Sequence, residues 1–358
     1  MNQDTMKRAV LFVVLTALAF GGLRAWNYSK TEQVYIEELL REVQGLDDPF
    51  VELDEETVGN EDAVWNRILD AEITSGESFR TTDVRGTTIQ TYEAEIVNPN
   101  TFHVQKVWYA IPDGYSSLPM VVLLSGGIGD GSGFTVAPKD DVNEMEWLAA
   151  EGFVVVAFQT LGVGESEGEQ DFYGFADQDG IAAIVQAAKK FTVVNPYNIG
   201  LASFSYGVTG AAGVVARYPE LGIKFLSDWE GPSSRFFTTI GCKLGRVMGE
   251  DREEVSPADH DCADDTYWAE REAAEFMKGV DGLGYYWRIQ QEKDHIQPTY
   301  GHTVEMLESV RNSFVTWFRV NAGDWNTVYN EETVPVVENG NHFVNYVIPH
   351  LVEMSQFE

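Results

Sequence analysis

From about residue 85 to the C-terminus, short unbroken apolar runs alternate with stretches of helical character, and this alternation restricts the fold more than any other feature of the chain. The runs Met120–Leu124, Phe153–Phe158 and Ile199–Ala202 lack the in–out alternation of a half-exposed strand, so both of their faces must be covered. Ile223–Leu226, Tyr285–Gln290 and Val334–Val337 read as further strands, the last of them closing the sheet. Helical stretches fall between at Glu144–Glu151, at Gly180–Lys190 with Asp179 as its cap, and at Ser205–Arg217, Tyr267–Lys278 and His302–Arg319. A final helix over Phe343–Val352 is broken at Pro349. Ile89–Val97 and His103–Ile111 form a strand pair joined by the turn Asn98-Pro99-Asn100. The class is therefore α/β, a mostly parallel central sheet with helices on both faces. Sheets of this kind carry their sites just past the carboxyl ends of strands.

The 358-residue chain divides, on this reading, into three parts. Residues 1–26 read as a signal peptide or an N-terminal anchor. Lys7 and Arg8 precede an apolar stretch over 9–22, and Ala17-Leu18-Ala19 offers a small-residue cleavage pattern. Cleavage is the first expectation; an uncleaved anchor stays open because Arg24 follows closely. Residues 27–84 read as a helical and acidic extension: an amphipathic helix over 31–44, an acidic loop over 47–61 and a short helix near 62–71. Residues 85–358 hold the α/β domain. An exported location is expected: secreted, periplasmic or cell-surface, with membrane contact only through the anchor. In such a compartment Cys242 and Cys262 are candidates for a disulfide, two free thiols being the alternative. Lys and Arg total 24 against 57 Asp and Glu, a net charge of −33. Nucleic acid is thereby excluded as a partner, since phosphate binding needs clustered cations.

The chemistry concentrates after the run ending at Ala202, in Ser203-Phe204-Ser205-Tyr206-Gly207. A strand, a sharp turn and a helix meet there, and small residues two before and two after Ser205 relieve the crowding of such a turn. A serine hydroxyl needs a neighbouring base, normally histidine, oriented by a carboxylate. Asp294 follows the strand Tyr285–Gln290 and is the expected acid; Asp228 and Glu230, after the preceding strand, are its rivals. His342 follows the last expected strand and is the expected base. His295 and His302 fall too early to follow that strand. His350 lies within the final helix, His103 in the early strand pair and His260 in an acidic loop. The backbone N–H of Tyr206, with Gly126 or Gly127 from the glycine-rich loop 125–133, would form the oxyanion hole. That loop lacks the lysine of a phosphate cradle. Asp259-His260-Asp261 with Asp264 and Asp265 reads as a solvated acidic loop rather than a Ca²⁺ site, and no metal is expected.

Taken together, residues 85–355 resemble the α/β-hydrolase superfamily, specifically its dienelactone-hydrolase and prolyl-oligopeptidase-like branch. Four matches carry the resemblance. Pro119–Gly127 is similar to the strand followed by His-Gly-Gly, with Ser125 for His. Residues 161–168 resemble an R-G-x-G-x-S-x-G loop that here lacks the Arg. The others are the nucleophile elbow with Ser203 for its first Gly, and Asp294-His295-Ile296-Gln297-Pro298 together with His342. The resemblance implies an α/β-hydrolase fold with a lid insertion over about 229–283, and a serine hydrolase acting through an acyl-enzyme, with Ser205, Asp294 and His342 as its triad. No cofactor is required. The expected substrate is a small-molecule carboxylic ester. Trp229 and Glu230 are expected to contact it. A serine peptidase or acylpeptide hydrolase acting on small peptides is the second reading, in which Glu230 or Asp228 grips the substrate's amino terminus. A non-catalytic binding protein on this scaffold is the third.

Overall fold

In the computed structural model, which describes residues 55–136, 142–238, 263–297 and 299–357, the alternating pattern closes into a single nine-stranded sheet. The strands are β1 (Thr74–Val84), β2 (Thr87–Val97), β3 (Val104–Pro112), β4 (Leu118–Leu124), β5 (Val154–Phe158), β6 (Val194–Phe204), β7 (Ile223–Trp229), β8 (Tyr285–Ile289) and β9 (Trp317–Val320). Their order is β1-β2-β3-β5-β4-β6-β7-β8-β9. From β5 to β9 every neighbouring pair is parallel, while β1, β2 and β3 join antiparallel. The chain leaves β4 for β5 on one side and returns to β6 on the other. A crevice thus opens past the carboxyl ends of β4 and β6, where sheets of this class place their ligands.

Helices cover both faces. On one lie α1 (Glu55–Asp70), α3 (Phe175–Ala188), α4 (Gly207–Arg217), α6 (Ala273–Lys278) and α7 (Gly301–Arg311); on the other, α2 (Glu144–Ala150) and α8 (Ile348–Gln356). The short α5 spans Asp265–Ala269. The apolar residues of β4 divide accordingly. Met120, Val122 and Leu124 join the core of the first face, and Val121 and Leu123 that of the second. Each is fully buried and is worth roughly 1.5–3 kcal/mol relative to exposure. Residues 60–358 form one compact unit.

Several elements differ from the sequence reading. Thr74–Val84, assigned to the extension, is a strand of the sheet paired with β2. Asp179 lies inside α3 rather than at its cap, because the helix begins at Phe175. Its buried carboxylate accepts from Asn100 and Tyr218 and pairs with Arg217. The stretch 302–319 is not one helix: α7 ends at Arg311 and β9 follows at Trp317. Val337 makes only an isolated bridge to Gln291. A wide π-helical turn, Phe343–Val347, precedes α8, whose Pro349 has no N–H to donate.

The expected signal segment, the helix over 31–44, both cysteines and the triplet Asp259–Asp261 lie outside the described residues. Within the insertion, Ala273, Met277, Val280 and Leu283 pack into the first core, so this portion is sheet cover rather than lid. Asp264 caps α5 and Asp265 pairs with Arg235. Among the described residues, no helix is long and apolar enough to cross a membrane.

Candidate active site

Ser205 stands where β6 turns into α4, with φ at +50°, a left-handed conformation that non-glycine residues seldom adopt and that concentrates at functional sites. Its N–H donates to Trp229 O at 2.8 Å, tying the turn to the end of β7. Gly207 is obligatory here. A β-carbon at that position would lie 2.5 Å from Leu124 O and 2.7 Å from Ser125 O. Ser203, two residues before the tip, is buried in the strand, so its small side chain suffices. The glycine-rich loop after β4 lies directly against Ser205: a β-carbon on Gly126 would come within 2.9 Å of Ser205 Cβ. Gly127 adopts φ +63°. Tyr206 occupies the cap of α4, so its backbone shares the positive end of the helix.

The partner of the hydroxyl is His295. Its Nε2 lies 2.8 Å from Ser205 Oγ, and its Nδ1 lies 2.9 Å from Glu230 Oε2. An ionised carboxylate only accepts, so Nδ1 carries the proton and Nε2 is left to accept from the serine hydroxyl. Glu230 follows β7 with φ +49° and is 2% exposed. Its Oε1 accepts from Gln291 N at 2.7 Å and from Gln290 Nε2 at 3.2 Å. The carboxylate is thus held on both oxygens.

Asp294, the expected acid, is adjacent but differently engaged. Its Oδ1 accepts from the N–H groups of Ile296 and Gln297, each at 2.7 Å, and lies 3.6 Å from His295 Nδ1. Its Oδ2 accepts from Gln290 Nε2 at 2.9 Å and lies 3.2 Å from His302 Nε2. Burial works to raise the Asp294 pKa, but His302 and these donors outweigh it and hold the carboxyl well below its usual range. Asp294 therefore shapes the loop that presents His295. Asp228 is fully buried and faces away from the histidine: it takes hydrogen bonds from Tyr286 Oη (2.6 Å), Gly231 N (3.0 Å) and Arg288.

His342, the expected base, is not on the hydroxyl's nitrogen partner position, which His295 fills. Its ring stacks on Trp229, centroids 4.0 Å apart, and the same indole stacks on His295 at 4.6 Å. The expectation placed the base after the last strand, whereas His295 follows β8, the strand before the last. Trp229 and Glu230, expected at the substrate, hold His295 by its face and its Nδ1 edge, and Glu230 also lines the cavity beside Ser205. The signal that could have identified His295 was its place beside Asp294 on a loop following a strand. Pro232, Phe237, Thr238, Ile296 and Gln297 line the cavity beside Ser205; Phe236 is exposed and Trp268 fully buried. Glu230, Asp294 and His295 also place one ligand atom each within 4.8 Å of one another, the geometry of a metal cluster, but both carboxylates are already committed to N–H donors.

Two half-buried imidazoles, His342 and His350, should make the fold acid-sensitive. Burial, with His295 adding, pushes His342 down to about 4; burial, with Arg319 adding, pushes His350, stacked on Trp287, down to about 3. The unfolded chain takes up a proton at each near the ordinary histidine value, about 6.5, whereas the native state does so only well below it. Stability contributed by the neutral rings is present above about pH 6.5 and is lost as pH falls toward 4, by about 3 kcal/mol for His342. Thermal melts of His342→Phe should therefore decline less than wild type between pH 6.5 and 4. Parallel declines would refute this.

No family model matches the sequence, and no curated protein matches it. Solved structures do. The acetyl xylan esterase of Paenibacillus sp. R4 superposes with a TM-score of 0.56 at 12% identity, over 85% of this chain and 94% of that one. Acetyl xylan esterase 1 of Thermoanaerobacterium sp. gives 0.53 at 14% identity, over 82% and 93%. The S-formylglutathione hydrolase of Agrobacterium tumefaciens gives 0.51 at 12% identity, over 78% and 99%. With the strand order, the switch point beside β4 and the strained serine after β6, these likenesses establish that the chain has the α/β-hydrolase fold.

Proposed function

We propose that this protein is a serine hydrolase cleaving a carboxylic ester or related acyl bond, with Ser205 as nucleophile, His295 as general base and Glu230 as the carboxylate that orients it. The observation that carries this reading is the unbroken line from Glu230 Oε2 to His295 Nδ1 (2.9 Å) and from His295 Nε2 to Ser205 Oγ (2.8 Å). Ser205 Oγ attacks the acyl carbon while its proton passes to His295 Nε2. The tetrahedral intermediate collapses, and His295 gives that proton to the departing alcohol. Water then attacks the acyl-enzyme by the same route, and Ser205 is regenerated. Glu230 fixes the tautomer and stabilises the imidazolium. The N–H groups of Tyr206 and of Gly126 or Gly127 stabilise the oxyanion. These steps require no metal or organic cofactor.

The cavity flanking Ser205 is small, about 20 Å³. Together with the likeness to acetyl xylan esterases, it supports a small acyl group such as acetyl. Residues 1–26 would export or anchor the enzyme. The peptidase reading loses its anchor, because Glu230 is turned onto His295 and Asp228 onto Arg288. Purified protein should hydrolyse p-nitrophenyl acetate at least tenfold faster than the octanoate, and Ser205→Ala should abolish both rates. Activity that survives in Ser205→Ala would refute the function; a preference for octanoate would refute only the acyl assignment.

A further inference from the structure

Trp229 touches both reacting residues. It ends β7, pairing with Phe204 on one side and Ile289 on the other. Its carbonyl accepts the Ser205 N–H at 2.8 Å. Its indole lies against the His295 ring, centroids 4.6 Å apart and planes 23° from parallel. The indole Nε1–H is buried and has no hydrogen-bond partner among the described residues. A buried donor left unpaired is costly and calls for an explanation. The ring is held through its faces, so its orientation serves what those faces contact.

His295 is gripped at two edge nitrogens, by Glu230 and by Ser205. Two edge bonds fix where the nitrogens point, but they leave the ring free to roll about the line joining its partners. A flat surface on one face removes that freedom. The same face matters electrostatically. As His295 takes the serine proton it becomes a cation lying over an indole, whose π-face is negative. We propose that Trp229 is a positioning residue that sets the roll of His295 and stabilises its imidazolium in the transition state. This inference rests on His295 being the base.

The other titratable groups around His295 are Glu230 after β7, Asp294 on its own loop, His302 behind Asp294, and His342, stacked on the same indole. A substitution at Trp229 leaves Glu230, Asp294 and His302 in place and takes the stacked ring from His342 as well. Removing the aromatic face should therefore lower kcat and shift the acid limb of the kcat/KM profile to lower pH, since the charged form of the base loses a stabilising contact.

The test compares Trp229→Met, which fills the space without a π-face, with Trp229→Phe, which restores one. Each is measured on p-nitrophenyl acetate from pH 5 to 9, with thermal melts as a check on folding. The expected result for Trp229→Met is a kcat loss of about tenfold or more, KM within about threefold, and an acid limb displaced to lower pH. Trp229→Phe should recover most of both. An unmoved acid limb in Trp229→Met, or a Phe variant as impaired as the Met variant, overturns the proposal. If Trp229→Met fails to fold, a Phe variant with wild-type kcat and acid limb supports it, and one with a tenfold loss overturns it. His295→Ala measured alongside separates the two readings: activity retained there contradicts the base assignment, whereas activity lost there with unaffected Trp229 variants contradicts this inference alone.

Discussion

Glu230→Gln should lower kcat for ester hydrolysis by about 10³–10⁴-fold while leaving the fold intact. The amide is isosteric, but it can present its NH₂ group to His295 Nδ1. That favours the tautomer with the proton on Nε2, which then faces Ser205 Oγ as a donor and cannot accept its proton. Combining Glu230→Gln with Ser205→Ala should cost little more than Ser205→Ala alone, because residues acting as one unit lose their contributions together. Asp294→Asn should be milder, because Asp294 lies 3.6 Å from His295 Nδ1 and takes backbone N–H groups instead. Steady-state kinetics of Glu230→Gln, Ser205→Ala, their combination and Asp294→Asn on one ester decide the matter. An Asp294→Asn loss far exceeding that of Glu230→Gln would reassign the acid.

Asp228→Ala should destabilise the protein by about 3–5 kcal/mol in chemical denaturation, because it strands a buried charge. Asp228 and Arg288 are both wholly buried and paired. Arg288 also reaches Gly231 O, Thr303 Oγ1 and His302 Nδ1, and His302 meets Asp294 on the loop that carries His295. With overall stability of order 5–15 kcal/mol, the loss is a large fraction of the total. Arg288→Met alone should cost a comparable amount, and the double variant less than the sum, since neither charge is then left unpaired. Additive losses would show that the pair is not energetically coupled. Activity should fall in Asp228→Ala as well, through the loosened loop.

The sheet was legible because burial writes itself into composition: unbroken apolar runs such as 120–124 and 153–158 occur only where both faces are covered. The elbow was legible because close packing leaves a trace in residue size, at Ser203 and Gly207. The histidine beside Ser205 Oγ was not legible from the same rules. The short edge strand β9, Trp-Phe-Arg-Val, carries a charge in its middle and follows an amphipathic helix without a strong break, so it merged with that helix. A rule that puts the base after the last strand points to His342 with or without β9, because His295 follows β8. Nor does sequence reveal which of three acids, Asp228, Glu230 or Asp294, meets an imidazole, since that depends on the direction the chain takes after β7. The +49° φ of Glu230, rare for that residue type, turns its carboxylate toward His295, and no local pattern announces it.

The most direct measurement is the rate of covalent labelling by a fluorophosphonate probe in wild type, Ser205→Ala, His295→Ala and His342→Phe. The reaction depends on a serine activated by its base and is independent of any particular substrate. Wild type should label at a single site, Ser205. Ser205→Ala should not label, and His295→Ala should label at least about 10³-fold more slowly. His342→Phe, which keeps a ring against Trp229, should stay within about tenfold of wild type. Rapid labelling of His295→Ala together with loss of labelling in His342→Phe would contradict the assignment of the base.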